Sequence, residues 1–151
     1  MTTAYYSTVL NHPVDKVWAM IRDFNNYPVY IDGVTESEIE DDRRGDELGA
    51  VRRFNYGGNW IRQKLGDHSD ERRSLTYIGV DPFALPDKEL SPVHYRGTMH
   101  LLPVVEGART FIEWSVEIDG VAKEEPEWRD IFMSMIPDWT DSLKRTLDRG
   151  V

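Results

Sequence analysis

The chain opens with strand-like alternation, turns briefly helical, alternates again over its long middle, and closes on a single helical stripe. Residues 4–10, AYYSTVL, read as a β-strand. In NHPVDKVWAMIRDF the period changes: Val14, Val17, Trp18 and Ile21 recur at i, i+3, i+4 and i+7. That pattern predicts a short amphipathic helix with Asn11 or His12 as cap, Pro13 in the first turn and Asp15 near the positive end of the helix dipole. NNYPVYIDGV carries Asn-Asn, Pro and Gly, which predicts a broken turn or second short helix before a strand near Val34 to Glu40.

From there to Asp119 the sequence reads as a meander of strands punctuated by turns. DDRRGDELG leads into AVRRFNY, GGN into WIRQKLGDH and SDERR into SLTYIGV; the proline-rich DPFALPDKELSP precedes VHYRGTMHLLPV, and EGA precedes RTFIEWSVEID. In the last segment, Trp128, Ile131, Phe132, Met135, Ile136, Trp139, Leu143 and Leu147 mark one stripe of a helix about 35 Å long at 1.5 Å per residue. Glu124, Glu125 and Glu127 suit its N-terminus, Lys144, Arg145 and Arg149 its C-terminal end, and Gly150 its stop; Pro137 interrupts the hydrogen-bond ladder and predicts a kink.

The expected fold is therefore α+β, a single domain over residues 1–151: strand, two short helices, six strands and one long helix. A long antiparallel sheet needs cover on one face, and the stripe of the last helix supplies it. A sheet curling around that helix can leave a cavity between them.

HPVDKVWAMIRDFNNYPVYIDGV, LGAVRRF, the Gln-Lys-Leu of the next strand, DERRSLTY, YRGTMHLLP and TFIEWSVE resemble, in this order and across nearly the whole chain, the START/Bet v 1-like (SRPBCC) superfamily, particularly its bacterial polyketide cyclase/dehydrase type. The resemblance implies a helix-grip fold of about seven strands with a ligand cavity between sheet and C-terminal helix. It implies no single function, because the superfamily includes aromatases and cyclases, lipid and quinone carriers and hormone receptors. By similarity to the receptors, NYGGN is a gate over the cavity.

Strand parity then nominates the cavity wall. Thr110, Ile112, Trp114, Val116 and Ile118 share the inner face of one strand; Val93, Tyr95, Gly97, Met99 and Leu101 share another; Ile61, Gln63 and Leu65, then Leu75 and Tyr77, continue it. AVRRFNY is ambiguous by parity alone, and the resemblance places Arg52, Phe54 and Tyr56 inside. Met135, Trp139 and Leu143 face these strands from the helix. The expected ligand-binding residues are Thr35, Arg52, Phe54, Tyr56, Ile61, Gln63, Tyr77, Tyr95, Met99, Trp114, Met135, Trp139 and Leu143, an apolar wall with few polar points, as small-molecule pockets have. For any one aromatic the competing reading is solid core. For Arg52 it is a solvated strand position or a structural ion pair.

Composition narrows the partners. The formal charge of −9 has the wrong sign for phosphates or anionic lipid, so neither nucleic acid nor membrane insertion is expected. No cysteine is present, which removes disulfides and thiolate chemistry and suits a reducing compartment. The start, MTTAYYSTVLNHP, has no basic segment followed by an apolar run, and a cytoplasmic location is expected. His94 and His100 lie about 20 Å apart on one strand at 3.3 Å per residue, too far to share an ion, so no metal is expected.

No phosphate-binding or nucleophile motif is present and no cofactor is expected. The leading expectation is binding of a hydrophobic aromatic, polyketide-like or lipid-like molecule by a monomer or homodimer, with loops 55–59 and 82–92 gating access. One alternative is a cofactor-free polyketide cyclase or dehydratase in which Arg52 stabilises an enolate and Tyr77 or Tyr95 donates a proton. Another is a module whose gate surface contacts a partner protein.

Overall fold

The computed structural model describes residues 1–150; Val151, the last residue of the expected domain, lies outside the described residues. The elements are β1 (Thr2–Leu10), α1 (Val14–Ile21), α2 (Tyr27–Tyr30), β2 (Val34–Ile39), β3 (Val51–Tyr56), β4 (Asn59–Ser69), β5 (Ser74–Gly79), β6 (His94–Val104), β7 (Arg109–Asp119), a 3₁₀ turn at Ala122–Glu124 and α3 (Glu125–Asp148). Order and type follow the hydrophobic periods.

All neighbouring strands pair antiparallel in the order β1-β7-β6-β5-β4-β3-β2, so β2 to β7 form a meander and β1 returns beside β7. The curved sheet closes on α3 in a helix-grip arrangement. α3 packs on β1 and β7 and touches α2. Trp128, Phe132, Ile136, Leu143 and Leu147 bury its apolar stripe. The helix continues through Pro137, whose carbonyl accepts from the Thr140 hydroxyl at 3.0 Å.

The inner face of β7 is buried from Thr110 to Ile118, while the outer face of the sheet carries ion pairs such as Arg62–Glu40 and Arg96–Glu117 and a His100–Glu113 hydrogen bond. His94 and His100 both lie on that outer face. The N-cap of α1 is Pro13, not the expected Asn11 or His12, and it caps without a side-chain hydrogen bond. Tertiary contacts hold α1 instead: Trp18 Nε1 and Arg22 Nε both donate to Asp70, at 2.8 and 3.0 Å, and Arg22 also reaches Asp46 at 2.9 Å.

β2 contains a correction to the sequence reading. Val34 pairs with Tyr56 and Glu36 with Asn55, so Thr35 is the extra residue of a β-bulge. The bulge turns Thr35 to solvent and puts Val34, buried, on the inner face.

Candidate ligand cavity

A partly enclosed cavity lies between the sheet and α3, toward the end where β3 ends, β4 begins and α3 starts. Phe54 and Tyr56 from β3, Ile61 and Gln63 from β4, Tyr77 from β5, Tyr95 from β6 and Trp114 from β7 form its sheet wall. Phe132, Met135 and Trp139 form its helix wall, and Tyr27, Ile31, Val34 and Phe83 complete it. The free space is about 50 Å³, enough for roughly three to five waters at about 10–15 Å³ each. Pockets holding drug-sized ligands run to about 300–1,000 Å³, so this one must widen to accept such a molecule.

Two glycines set where the phenols lie. Tyr77 is the register partner of Gly97, and a Cβ there would fall 2.1 Å from its Cζ. Tyr95 lies over Gly79 in the same way, with a Cβ at 79 falling 2.3 Å from its Cε1. Each ring thus occupies the space above a glycine of the adjacent strand, a reciprocal packing along β5 and β6 that lays both rings along the sheet. The Tyr77 hydroxyl accepts from Trp114 Nε1 at 2.9 Å and the Tyr95 hydroxyl from Gln63 Nε2 at 3.0 Å.

Behind this wall sits Arg52, 0% exposed. Its Nε donates to Gln63 Oε1 at 3.0 Å, Nη2 donates to the same oxygen, and Nη1 donates to the carbonyl of Phe24. Its Cζ lies 3.8 Å from the Tyr27 ring centre and 4.5 Å from that of Phe24, with Phe54 and Tyr77 each at 5.2 Å. No salt bridge to Arg52 exists among the described residues. A buried ion costs several kcal/mol of desolvation, which ring faces at about 0.5–2 kcal/mol each offset only in part. Burial, chiefly, pushes the Tyr77 phenol well above its ordinary value and that of Tyr95 up to about 12, so both are protonated at neutral pH.

At the rim, Trp139 Nε1 donates to the Tyr56 hydroxyl at 3.0 Å, and the two rings meet edge to face at 6.4 Å. Tyr56 leads directly into the two-residue turn Gly57-Gly58, where φ is 58° and 88°, the left-handed geometry of a tight hairpin. Phe83, in the segment between β5 and β6, packs on Tyr95, Trp128 and Phe132.

Of the residues expected at the site, the structure brings Phe54, Tyr56, Ile61, Gln63, Tyr77, Tyr95, Trp114, Met135 and Trp139 together around the cavity. Thr35 is outside, for the reason given by the bulge. Met99 and Leu143 face inward and are buried, but they are not among the residues that line the cavity. Arg52 supports the wall from behind instead of forming its surface. Sequence reasoning missed Tyr27, Ile31, Val34, Phe83 and Phe132. Phe132 stood in the helical stripe without being nominated; the α2 turn and the loop carry no period from which to read burial.

Among the described residues no carboxylate and no imidazole lines the cavity, so these residues supply no evident general base. Among the described residues no group of three His, Cys, Asp or Glu is placed to hold a metal, and no helix is long and apolar enough to cross a membrane.

A family described as polyketide cyclase / dehydrase and lipid transport matches residues 1–149. The protein XoxI from Bacillus cereus is similar in structure, with a TM-score of 0.79 at 23% identity over 100% of this chain and 99% of that one. A START superfamily protein from Mycobacterium smegmatis gives 0.76 at 9% identity, covering 99% of each chain. BexL, a di-domain ARO/CYC from the BE-7585A biosynthetic pathway, gives 0.75 at 15% identity over 98% of this chain and 47% of that one. These likenesses concern the fold. A search of curated proteins found no match.

Proposed function

The chain belongs to the polyketide cyclase / dehydrase and lipid transport family, and from that premise we propose that it binds a hydrophobic aromatic, polyketide-like or lipid-like molecule between the sheet and α3. The observation that carries this reading is the wall itself: rings and aliphatic side chains around a space at the open end of the grip, with a few oriented polar groups. Ligand access opens the contact between Tyr56 and Trp139 and displaces the segment that carries Phe83. The turn at residues 55–59 and the loop at 82–92 are the moving parts.

Native mass spectrometry of protein purified from its own host tests the proposal. A co-purifying apolar molecule, lost on replacing Ile61 and Met135 with tryptophan, which fills the cavity, is the expected result. Protein that is free of ligand and takes up no apolar dye would contradict it.

A second reading, cofactor-free cyclisation or dehydration of a polyketide, is favoured by two protonated phenols in the wall and a guanidinium behind them. In that chemistry Tyr77 or Tyr95 donates a proton, while Arg52 behind the wall contributes positive potential that favours the enolate. The wall offers no base, so a water molecule or the substrate itself must take the abstracted proton. Turnover of a poly-β-ketone that persists in Arg52→Ala and Tyr95→Phe would remove these residues from catalysis.

A further inference from the structure

The hydrogen bonds around the cavity have a direction. Indole N–H and guanidinium groups can only donate. Trp114 gives its proton to Tyr77 and Trp139 gives its proton to Tyr56. Arg52 can accept nothing, so the oxygen of the Gln63 amide must face it and the amide nitrogen must face Tyr95. Each of the three phenol oxygens therefore accepts from a donor whose orientation is fixed. Among the described residues none of the three phenol protons has an acceptor in the wall. The Gln63 carbonyl, the one amide acceptor of the wall, is taken twice by Arg52. Among the described residues Arg52 has no counter-ion and no carboxylate lines the space, so Arg52 adds positive potential from behind.

We propose that the cavity selects apolar frames whose polar atoms are hydrogen-bond acceptors without protons, namely ketones, quinones and oxyanions, and rejects amines. This rests on the reading that the cavity binds a small molecule. Gln63 is the positioning residue, because its amide converts the fixed direction of Arg52 into the donor direction of Tyr95. High phenol pKa values for Tyr77 and Tyr95 keep both protons in place across the physiological range.

The test uses three probes of one frame: 2-acetylnaphthalene, 2-isopropenylnaphthalene with a methylene in place of the oxygen, and 2-naphthylmethylammonium, titrated against the whole chain by isothermal calorimetry. The ketone should bind more tightly than the hydrocarbon by roughly three- to tenfold for each phenol it engages, and the ammonium more weakly than the hydrocarbon. Tyr77→Phe and Tyr95→Phe should each shrink the ratio of ketone to hydrocarbon affinity. Gln63→Glu, of the same shape, gives Arg52 a counter-ion and Tyr95 an acceptor; it should shrink the preference as Tyr95→Phe does. Equal binding of ketone and hydrocarbon by the unaltered protein, or preference for the ammonium, would overturn the inference while leaving small-molecule binding intact. Failure of all three probes to bind would overturn the binding reading, and this inference with it.

Discussion

Gly97→Ala tests how the cavity is made. Gly97 has an ordinary extended backbone, so the change is one methyl group placed 2.1 Å from Cζ and 2.3 Å from the hydroxyl oxygen of Tyr77. No van der Waals adjustment absorbs that distance; the ring must leave its place over the strand, and Trp114 Nε1 loses its partner. Overpacking costs about 1–3 kcal/mol and an unpaired buried N–H about 1–3, against about 0.5–1 regained by replacing glycine in a strand. A net destabilisation of about 1–5 kcal/mol follows from these terms. With a urea slope of roughly 2 kcal/mol/M the midpoint should fall by about 0.5–2.5 M, read from tryptophan fluorescence. The control is the same substitution in a Tyr77→Leu background, where the methyl has no ring to displace and its cost should largely vanish. Equal cost in both backgrounds would refute the ring-over-glycine explanation.

Three further outcomes are expected. Gly58→Ala places a side chain at φ 88° in open space, which should cost about 1 kcal/mol or more and, if the turn moves as a gate, slow ligand exchange several-fold in stopped-flow fluorescence; unchanged exchange would reduce Gly57-Gly58 to a plain turn. Trp139→Phe removes the hydrogen bond to Tyr56 and should speed ligand uptake, at a stability cost of about 1 kcal/mol; unaltered uptake would take that contact out of the gate. The Arg22 guanidinium, first, and the Trp18 N–H hold the Asp70 carboxyl at about 2, below its ordinary 3.8. Its stabilisation is therefore complete above about pH 4 and is lost as pH falls toward 2; because the side chain is 58% exposed, it amounts to about 1 kcal/mol or less. Asp70→Asn should flatten that acid limb, and an unchanged limb would contradict it.

Element order was legible because each change of period fell where the chain changes structure. Strand parity also identified the inner faces of β4 to β7, where alternation runs unbroken from Tyr95 to Leu101 and from Thr110 to Ile118. Parity says which face a residue takes; it does not say how far along the strand the helix has closed on the sheet. Hence Met99 and Leu143 turn inward and are buried without lining the cavity. It also fails at a bulge, where one unpaired residue exchanged Thr35 for Val34. Tyr27, Ile31 and Phe83 reach the wall from a single-turn helix, its flank and a loop, where no repeat exists to be read. Arg52 was ambiguous until the resemblance fixed its side, and the absence of a carboxylate partner could be seen only once the surrounding strands were in place.

The most direct measurement of ligand binding inside the grip is an NMR titration of the tryptophan indole N–H signals with 2-acetylnaphthalene. Trp114 and Trp139 line the cavity, whereas Trp60 is 45% exposed on the opposite face of the sheet, stacked on Arg53. Saturable shifts at Trp114 and Trp139 with Trp60 unmoved are the expected result. Shifts confined to Trp60, or a spectrum that does not respond, would contradict a binding cavity between the sheet and α3.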